Sequence, residues 1–318
     1  MDKKDILKAY TAWGAVCLFW GTTYLAIRIG VEVVPPALFA GVRFFIAGLI
    51  FLLFLKSRGY SSPSRRELSD MAVVGITLLT IGNGLVVWGE QWVPSGLAAL
   101  LVATLPFWMA GFEAALPAGD KLNARKVLGI IIGFAGLVLL LGPDFQGSWD
   151  KAYLKGILAI FFAPCSWAAG SLYSKYRPVR SHPMIAAACQ MIIAGTLLIS
   201  IGAIFGEFQR FVFDIQGLAA LGYLIVFGSI FGYGSYIYAL SKLPASKVSM
   251  YAYINPVIAV ILGWLVLDER FDWVVVTATA VVLFGVVLVK TAASEKKPLK
   301  SSTIIDQKEV LEGKEELI

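Results

Sequence analysis

The stretch QWVPSGLAALLVATLPFWMAGFEAAL, residues 91–116, is an apolar run with a proline, Pro106, near its middle. The same arrangement returns in SKLPASKVSMYAYINPVIAVILGWLV, residues 241–266, where the central proline is Pro256. In both runs another proline stands twelve residues earlier, near the start. Two stretches 150 residues apart therefore share one pattern of interruption in an otherwise apolar segment.

A proline inside a helix removes one backbone hydrogen bond and displaces the carbonyl four residues earlier. Here those carbonyls belong to Val102 and Ala252. In the hydrocarbon of a membrane, a freed carbonyl is tolerated only beside other protein or a water-filled cavity. Matching interruptions in two halves of a membrane protein are typical of a transporter's substrate site. We therefore predict helix interruptions at Pro106 and Pro256, beside a cavity near the middle of the membrane.

The composition of the whole chain agrees with a membrane protein. Its 318 residues are 58% apolar and 15% charged, with a mean hydropathy of +0.77, whereas a soluble domain is about half apolar and a quarter charged. A spanning helix needs about 20 apolar residues. We predict an all-α integral membrane protein with ten transmembrane helices, at about residues 11–31, 36–55, 70–89, 95–116, 125–142, 154–174, 183–205, 217–240, 245–267 and 272–290.

The distribution of lysine and arginine predicts the orientation of these helices. With the N-terminus inside, 21 of the 27 basic residues fall on the inner side and four on the outer side. Cytoplasmic loops carry such an excess, so we predict cytoplasmic N- and C-termini in the plasma (inner) membrane. The net charge of +6 reflects this bias. Because the basic residues are spread over many short loops, we expect the lipid bilayer as a partner and no nucleic acid.

The sequence repeats beyond the prolines. LFWGTTYLAIRI, residues 18–29, aligns with CSWAAGSLYSKY, residues 165–176, which places Trp20 on Trp167. Each repeat would hold five helices, and five is odd, so the second enters the membrane the other way up as an inverted repeat around a central cavity. The expected divisions are a cytoplasmic N-terminus at 1–10, a first repeat at 11–142, a second at 143–290 and a cytoplasmic polar tail at 291–318.

Four segments in order resemble the drug/metabolite transporter superfamily, specifically its EamA-type ten-helix permeases. They are FWGTTYLAIRIG (19–30), PPALFAGVRFFIAGLIFLL (35–53), VPSGLAALLVATLPFWMA (93–110) and SKVSMYAYINPVIAVILGWLVLDERFD (246–272). The resemblance covers roughly residues 11–290. One departure is LPAGDKLN, where the family usually has a Gly-Glu-Arg-like turn and only Asp120 keeps the acidic position.

The resemblance implies export of amino acids, related metabolites or drugs, through a cavity lined by helices 1, 3, 4, 6, 8 and 9. We predict a transporter that works by alternating access around this cavity. Amino-acid or metabolite export leads, and multidrug efflux by proton antiport is the alternative. Whether protons are coupled to transport stays open at this point.

Aromatic and amide side chains inside the spans are the candidate substrate-binding residues. A cavity for a zwitterionic or aromatic metabolite needs rings for stacking and cation–π contact, with a few polar partners. The alternative for such rings is a belt at the membrane interface. The candidates are Trp20, Tyr24, Asn83, Trp88, Trp108, Trp167, Gln190, Tyr233, Tyr236 and Asn255.

Charges inside the spans are the second group of candidates, because charge in hydrocarbon is expensive and faces protein or water. Arg43 either binds helix-end carbonyls or a carboxylate, as a structural charge, or contacts substrate. Glu113 is either a proton-coupling carboxylate or an ion-pair partner of Lys121 or Arg125. Glu90, at the outer end of the third span, is a weaker candidate for coupling.

A membrane-embedded lipid or prenyl transferase is the alternative from another class. Such reactions use clustered aspartates that bind Mg²⁺ or nucleophile sets with histidine. The single histidine, His182, is predicted in a loop, and the sequence suggests no such aspartate cluster. We therefore expect no enzyme activity, no metal and no cofactor.

Two GxxxG pairs begin at Gly129 and Gly228. They favour close helix packing within a monomer, with a weak homodimer as the alternative.

Overall fold

The computed structural model describes residues 3–117, 119, 121–141, 150–243, 248 and 250–292. Within these residues the chain forms long helices and no strand. Asp120 and the tail beyond Ala292 lie outside the described residues. The helices are α1 (Lys3–Val31), α2 (Pro36–Ser57), α3 (Arg65–Gly89), α4 (Ser95–Ala115), α5 (Ala124–Leu141), α6 (Lys151–Tyr176), α7 (Pro183–Ile204), α8 (Ile215–Lys242), α9 (Tyr251–Leu267) and α10 (Trp273–Thr291).

Among the described residues, nine of these helices are long and apolar enough to cross a membrane. The remaining one, α9, is also apolar and has 17 residues, and residues 245–247 and 249 of the span predicted at 245–267 lie outside the described residues. The prediction of an all-α membrane protein is confirmed. The first helix begins earlier than predicted, at Lys3, because its polar first turns continue the helix beyond the apolar span.

The helices pack in a pattern that links the two halves of the chain. The most extensive contacts are between α2 and α7 and between α5 and α10. Nearer the centre, α1 packs on α8 and α9, and α6 packs on α3 and α4. Each helix of the first half therefore finds its main neighbours in the second half.

Glycines allow the closest of these approaches. A Cβ on Gly129 of α5 would lie 2.7 Å from the carbonyl oxygen of Gly285 on α10, and one on Gly285 would lie 2.5 Å from that of Gly129. Small residues let membrane helices approach at backbone distance. The predicted GxxxG face of α5 is therefore used for packing within the chain. The glycine pair of α8, Gly228 and Gly232, likewise faces neighbouring side chains.

Three helices depart from regular α geometry near the middle of the bundle. A turn at Ala103 and Thr104 divides α4 into Ser95–Val102 and Leu105–Ala115. The winding changes to π geometry over Ile76–Asn83 of α3 and Leu224–Tyr233 of α8. Such π segments are rare and are frequent at functional sites.

Side chains from α1 and α6 donate to carbonyls of the two π segments. Trp20 Nε1 donates to the carbonyl of Gly228 in α8 at 3.1 Å. Ser166 Oγ donates to the carbonyl of Thr77 in α3 at 2.8 Å. Carbonyls in altered helical winding are tolerated in a membrane when other protein groups satisfy them. These bonds fix α1 against α8 and α6 against α3.

Two helices of the first half receive carboxylate caps from the second half. Glu207, which begins the short 3₁₀ helix Glu207–Arg210, accepts from the backbone nitrogen of Leu38 at 2.8 Å. Glu269 accepts from the backbone nitrogens of Ser95 at 2.7 Å and Gly96 at 3.0 Å. A helix N-terminus has unpaired N–H groups and a partial positive charge, so a carboxylate there is stabilising.

Candidate functional site

The departures from regular helix geometry meet around a central cavity of about 60 Å³. Its wall includes Val102 and Leu105 on either side of the turn in α4, and Asn83 and Gly228 from the π segments. Pro164, inside the continuous helix α6, also lines it. The helices around the cavity are α1, α3, α4, α6, α8 and α9, together with α2.

Six residues singled out from the sequence line this cavity. They come from α1, α2, α3, α6 and α8, helices that are far apart in the chain. They are Trp20, Tyr24, Arg43, Asn83, Trp167 and Tyr233.

The aromatic residues of the cavity form a connected set. Trp20 and Trp167, paired by the sequence repeat, meet edge to face with ring centroids 5.5 Å apart. Tyr251 of α9 packs against Trp20 in the same way, with centroids 5.0 Å apart. Edge-to-face geometry is favoured by the charge distribution of aromatic rings. Tyr251 is a cavity residue that was not predicted from the sequence, although it stands five residues before Pro256.

Tyr236 lies directly behind this set. Its hydroxyl accepts from Trp167 Nε1 at 3.3 Å and shares a 3.1 Å hydrogen bond with Ser171. It does not line the cavity itself. Its contacts hold the Trp167 ring in place, which is a positioning role.

Two of the predicted tryptophans lie away from the cavity. Trp88 is 37% exposed on the outside of the bundle and packs against Trp92. Trp108 packs against Phe161 and Phe162 of α6. Both are outside the cavity wall because the rotation of a helix about its axis decides which residues face inward. In a helix that is apolar all round, the sequence gives little indication of that rotation.

Of the three predicted amides, Asn255 and Gln190 bind other parts of the protein, whereas Asn83 lines the central cavity. Asn255 is buried, and its amide, oriented to donate, reaches the carbonyl of Cys17 at 2.9 Å. It thus joins α9 to α1 beside the cavity. Pro256, the next residue, lies within a continuous α9 and does not divide it, whereas Pro106 follows the turn that divides α4. Because α9 begins at Tyr251, Pro256 removes a hydrogen bond only near its first turn.

A second, larger cavity of about 430 Å³ opens between α3, α6, α7 and α8. We call it the vestibule; Asp70, Lys175, Arg177 and Gln190 are among its lining residues. It lies toward the beginnings of α3 and α7 and the ends of α6 and α8. Gln190 is 4% exposed and accepts a 2.7 Å hydrogen bond from the hydroxyl of Tyr233.

Arg43 is the charged residue of the central cavity. It is 3% exposed, its Nε donates to Ser229 Oγ at 2.9 Å, and its guanidinium lies over the ring of Phe44. Its Nη1 has no hydrogen-bond partner among the described residues. Neither helix-end carbonyls nor a carboxylate therefore hydrogen bonds this guanidinium in the described structure.

The acidic candidates differ in their surroundings. Glu113 forms an ion pair with Lys175 of α6 at 2.6 Å, with 26% of its side chain exposed. The expected partner Lys121 instead donates to backbone carbonyls of Ala114 and Leu116. Glu90 is fully buried, and neither of its carboxylate oxygens has a hydrogen-bond partner among the described residues.

Comparison with known proteins relates the chain to membrane transporters. The sequence profile of the EamA-like transporter family matches residues 8–142 and 154–291. The chain is 38% identical over 292 residues to the "Uncharacterized inner membrane transporter YedA" of Escherichia coli (strain K12), covering 91% of this chain and 92% of that protein. It is 25% identical over 284 residues to the "Uncharacterized transporter YoaV" of Bacillus subtilis (strain 168), covering 89% and 97%.

A solved crystal structure shares the fold. It superposes with a TM-score of 0.65 at 21% sequence identity, covering 88% of this chain and 95% of the other. The relatives and the apolar helices together identify a multi-pass transporter of the plasma membrane. Because the family profile matches most of its length, the chain belongs to the EamA-like transporter family.

Proposed function

We propose that this transporter exports small metabolites, amino acids or related compounds first among them, by alternating access. The observation that carries the proposal is the central cavity, which is enclosed by aromatic rings where the helix irregularities meet. Rings such as Trp20 and Trp167 can contact the apolar part and the ammonium group of an amino acid. Small-molecule sites combine such an apolar wall with a few polar groups.

We propose further that the two halves are inverted repeats. The packing pattern supports this, because exchanging the halves converts the contacts of α1 with α8 and α9 into those of α6 with α3 and α4. The pairs α2–α7 and α5–α10 are unchanged by the exchange. Alternating access then follows as a rocking of one repeat against the other around a central site.

The orientation with both termini cytoplasmic also remains a proposal, supported by the excess of lysine and arginine on that side. The vestibule then opens toward the cytoplasm. Its cationic lining residues include Lys175 and Arg177. In this orientation a cytoplasmic metabolite enters the vestibule first and reaches the central cavity after passing Tyr233.

Drug efflux by proton antiport is less well supported by the site. Proton antiport needs a carboxylate that substrate and proton can both reach, and Glu113 is the candidate for it. Glu113 instead pairs with Lys175 and does not line the central cavity. Membrane-embedded transferase chemistry likewise gains no support from the residues of the cavity wall.

Metabolite profiling of the culture medium tests the proposed export. Cells that overexpress the chain are compared with cells that express Trp167→Ala or Trp88→Ala at the same level. Both variants remove a tryptophan, but Trp167 lines the cavity and Trp88 faces outward. We expect an amino acid to accumulate outside, the Trp167 variant to lose this accumulation and the Trp88 variant to keep it. An unchanged medium with the wild-type chain would contradict the proposal.

A further inference from the structure

Arg43 carries a positive charge at a depth where charge is expensive. It is the eighth of the 22 residues of α2 and is 3% exposed. A buried charge needs a partner or a polar cavity, because its removal from water is costly even after relaxation of the protein. The hydrogen bond from Nε to Ser229 meets only one of the five N–H groups of the guanidinium.

The surrounding residues hold the guanidinium in a fixed position. Ser229 binds Nε, and the Phe44 ring lies 4.8 Å from the guanidinium carbon. Gly228 provides the space, since a Cβ there would lie 2.7 Å from Nη2. A planar guanidinium with its Nε occupied can still bind a carboxylate through its Nη groups.

The protein does not supply that carboxylate in the described structure. Glu90 is fully buried, and its carboxylate oxygens form no hydrogen bond with Arg43 or with any other described residue. Glu113 is engaged with Lys175, and Glu269 with the start of α4. The Nη1 group of Arg43 is therefore a buried, unpartnered donor on a residue that lines the central cavity.

We infer that Arg43 binds the carboxylate group of the transported substrate. Asn83, also in the cavity wall, has a buried and unpartnered side-chain oxygen that can accept from the substrate's ammonium group. The two residues together select small amino acids and related amino carboxylates over amines that lack an acidic group. This inference rests on the proposed function, since it assigns the substrate class of the same cavity.

Binding to the full chain purified in detergent tests this inference. Trp20 and Trp167 line the cavity, so their intrinsic fluorescence reports on its occupation. The twenty common amino acids are titrated first, and the one with the lowest Kd is then compared with the amine that lacks its carboxylate. We expect Arg43→Gln to raise the Kd of the amino acid roughly 10- to 100-fold, as for the loss of a charge-assisted hydrogen bond. The amine should bind weakly to both proteins, and its Kd should be unchanged by the substitution.

Three further variants separate recognition from folding. Arg58→Gln removes an exposed arginine at the end of the same helix and should leave the Kd unchanged. Arg43→Lys keeps the charge without the planar fork and should give an intermediate Kd. Ser229→Ala leaves the charge but frees Nε, so a smaller rise is expected. If Arg43→Gln does not fold, the last two variants still test the inference.

The outcomes distinguish this inference from the proposed function. If Arg43→Gln weakens the binding of the amino acid and of the amine equally, Arg43 is structural and the inference is overturned. Binding of short carboxylic acids without an ammonium group, and of no amino acid, would support the role of Arg43 but contradict both the role of Asn83 and amino-acid export. Binding of tetraphenylphosphonium, with no carboxylate binding at all, would overturn both.

Discussion

The hydroxyl of Tyr233 donates a 2.7 Å hydrogen bond to Oε1 of Gln190, and the two residues line different cavities. Tyr233 belongs to the wall of the central cavity, and Gln190 to the wall of the vestibule. Both are buried. The bond therefore joins α8 to α7 at the boundary between the two spaces, where a substrate would have to pass.

Breaking this bond is expected to open the central cavity toward the vestibule. Tyr233→Phe removes the hydroxyl and leaves the buried oxygen of Gln190 without its partner, which destabilises the observed arrangement by about 1–3 kcal/mol. We expect a cysteine introduced at Ala163, in the cavity wall, to react several times faster with a water-soluble maleimide. The native cysteines, Cys17, Cys165 and Cys189, are first replaced by alanine.

Tyr238→Phe is the matched control for that measurement. Tyr238 lies on the same helix, and neither cavity includes it in its lining. Its substitution should leave the labelling rate unchanged. Equal rates in the wild-type background and in Tyr233→Phe would show that this bond does not limit access.

The carboxylate cap on α4 is expected to contribute to stability. Glu269→Ala leaves the backbone N–H groups of Ser95 and Gly96 without their acceptor, and Ser95 is fully buried. A hydrogen bond to a charged group contributes about 1.5–3 kcal/mol, so the melting temperature in detergent should fall clearly. The pair of the exposed Glu32 with the half-buried Arg28 offers a control, because ion pairs at the surface contribute about 0–1 kcal/mol. A similar shift in Glu32→Ala and Glu269→Ala would contradict this account.

Glu113 is expected to be dispensable for proton coupling. Its ion pair with Lys175 lies outside the central cavity and is partly exposed. Glu113→Gln should therefore export within about twofold of the wild-type rate, since exposed ion pairs contribute little. The dependence of export on external pH should also be unchanged. Abolished export, or a lost pH dependence, would restore the antiport interpretation of this residue.

The contact between α5 and α10 is expected to tolerate no side chain at Gly129. An added Cβ meets the backbone oxygen of Gly285, which cannot move without shifting its helix. Overpacking of this kind costs about 1–3 kcal/mol, so Gly129→Ala should lower the melting temperature. Gly111→Ala provides the comparison, because nothing lies within 4 Å of a Cβ there. In that open position alanine should be neutral or mildly stabilising.

The sequence predicted the parts of the fold that depend on composition and on local order along the chain. Apolar runs of spanning length are unambiguous, so the all-helical membrane fold could be predicted. The alignment of Trp20 with Trp167 brought together two residues that do meet, 5.5 Å apart. A turn in α4 directly precedes Pro106, at a position where a proline restricts the backbone of the residue before it.

What the sequence could not predict depends on the rotation and winding of each helix. The π segments of α3 and α8 have no proline within them, and packing against Trp20 and Ser166 accompanies them. Trp88 and Trp167 look alike in the sequence, yet one faces outward and the other lines the cavity. The ion-pair partner of Glu113 could not be predicted from the sequence for the same reason. Glu113 pairs with Lys175, 62 residues away, and not with the nearby Lys121.

The caps of α2 and α4 have a consequence for synthesis in the cell. Glu207 follows the helix start that it binds by about 170 residues, and Glu269 follows its own by 174. At about 5–20 residues per second, translation takes roughly 10–30 seconds to cover that distance. During this interval the starts of α2 and α4 must find acceptors in water or lipid head groups. The two glutamates then replace those acceptors, so the first half acquires its final contacts only after most of the second half has been made.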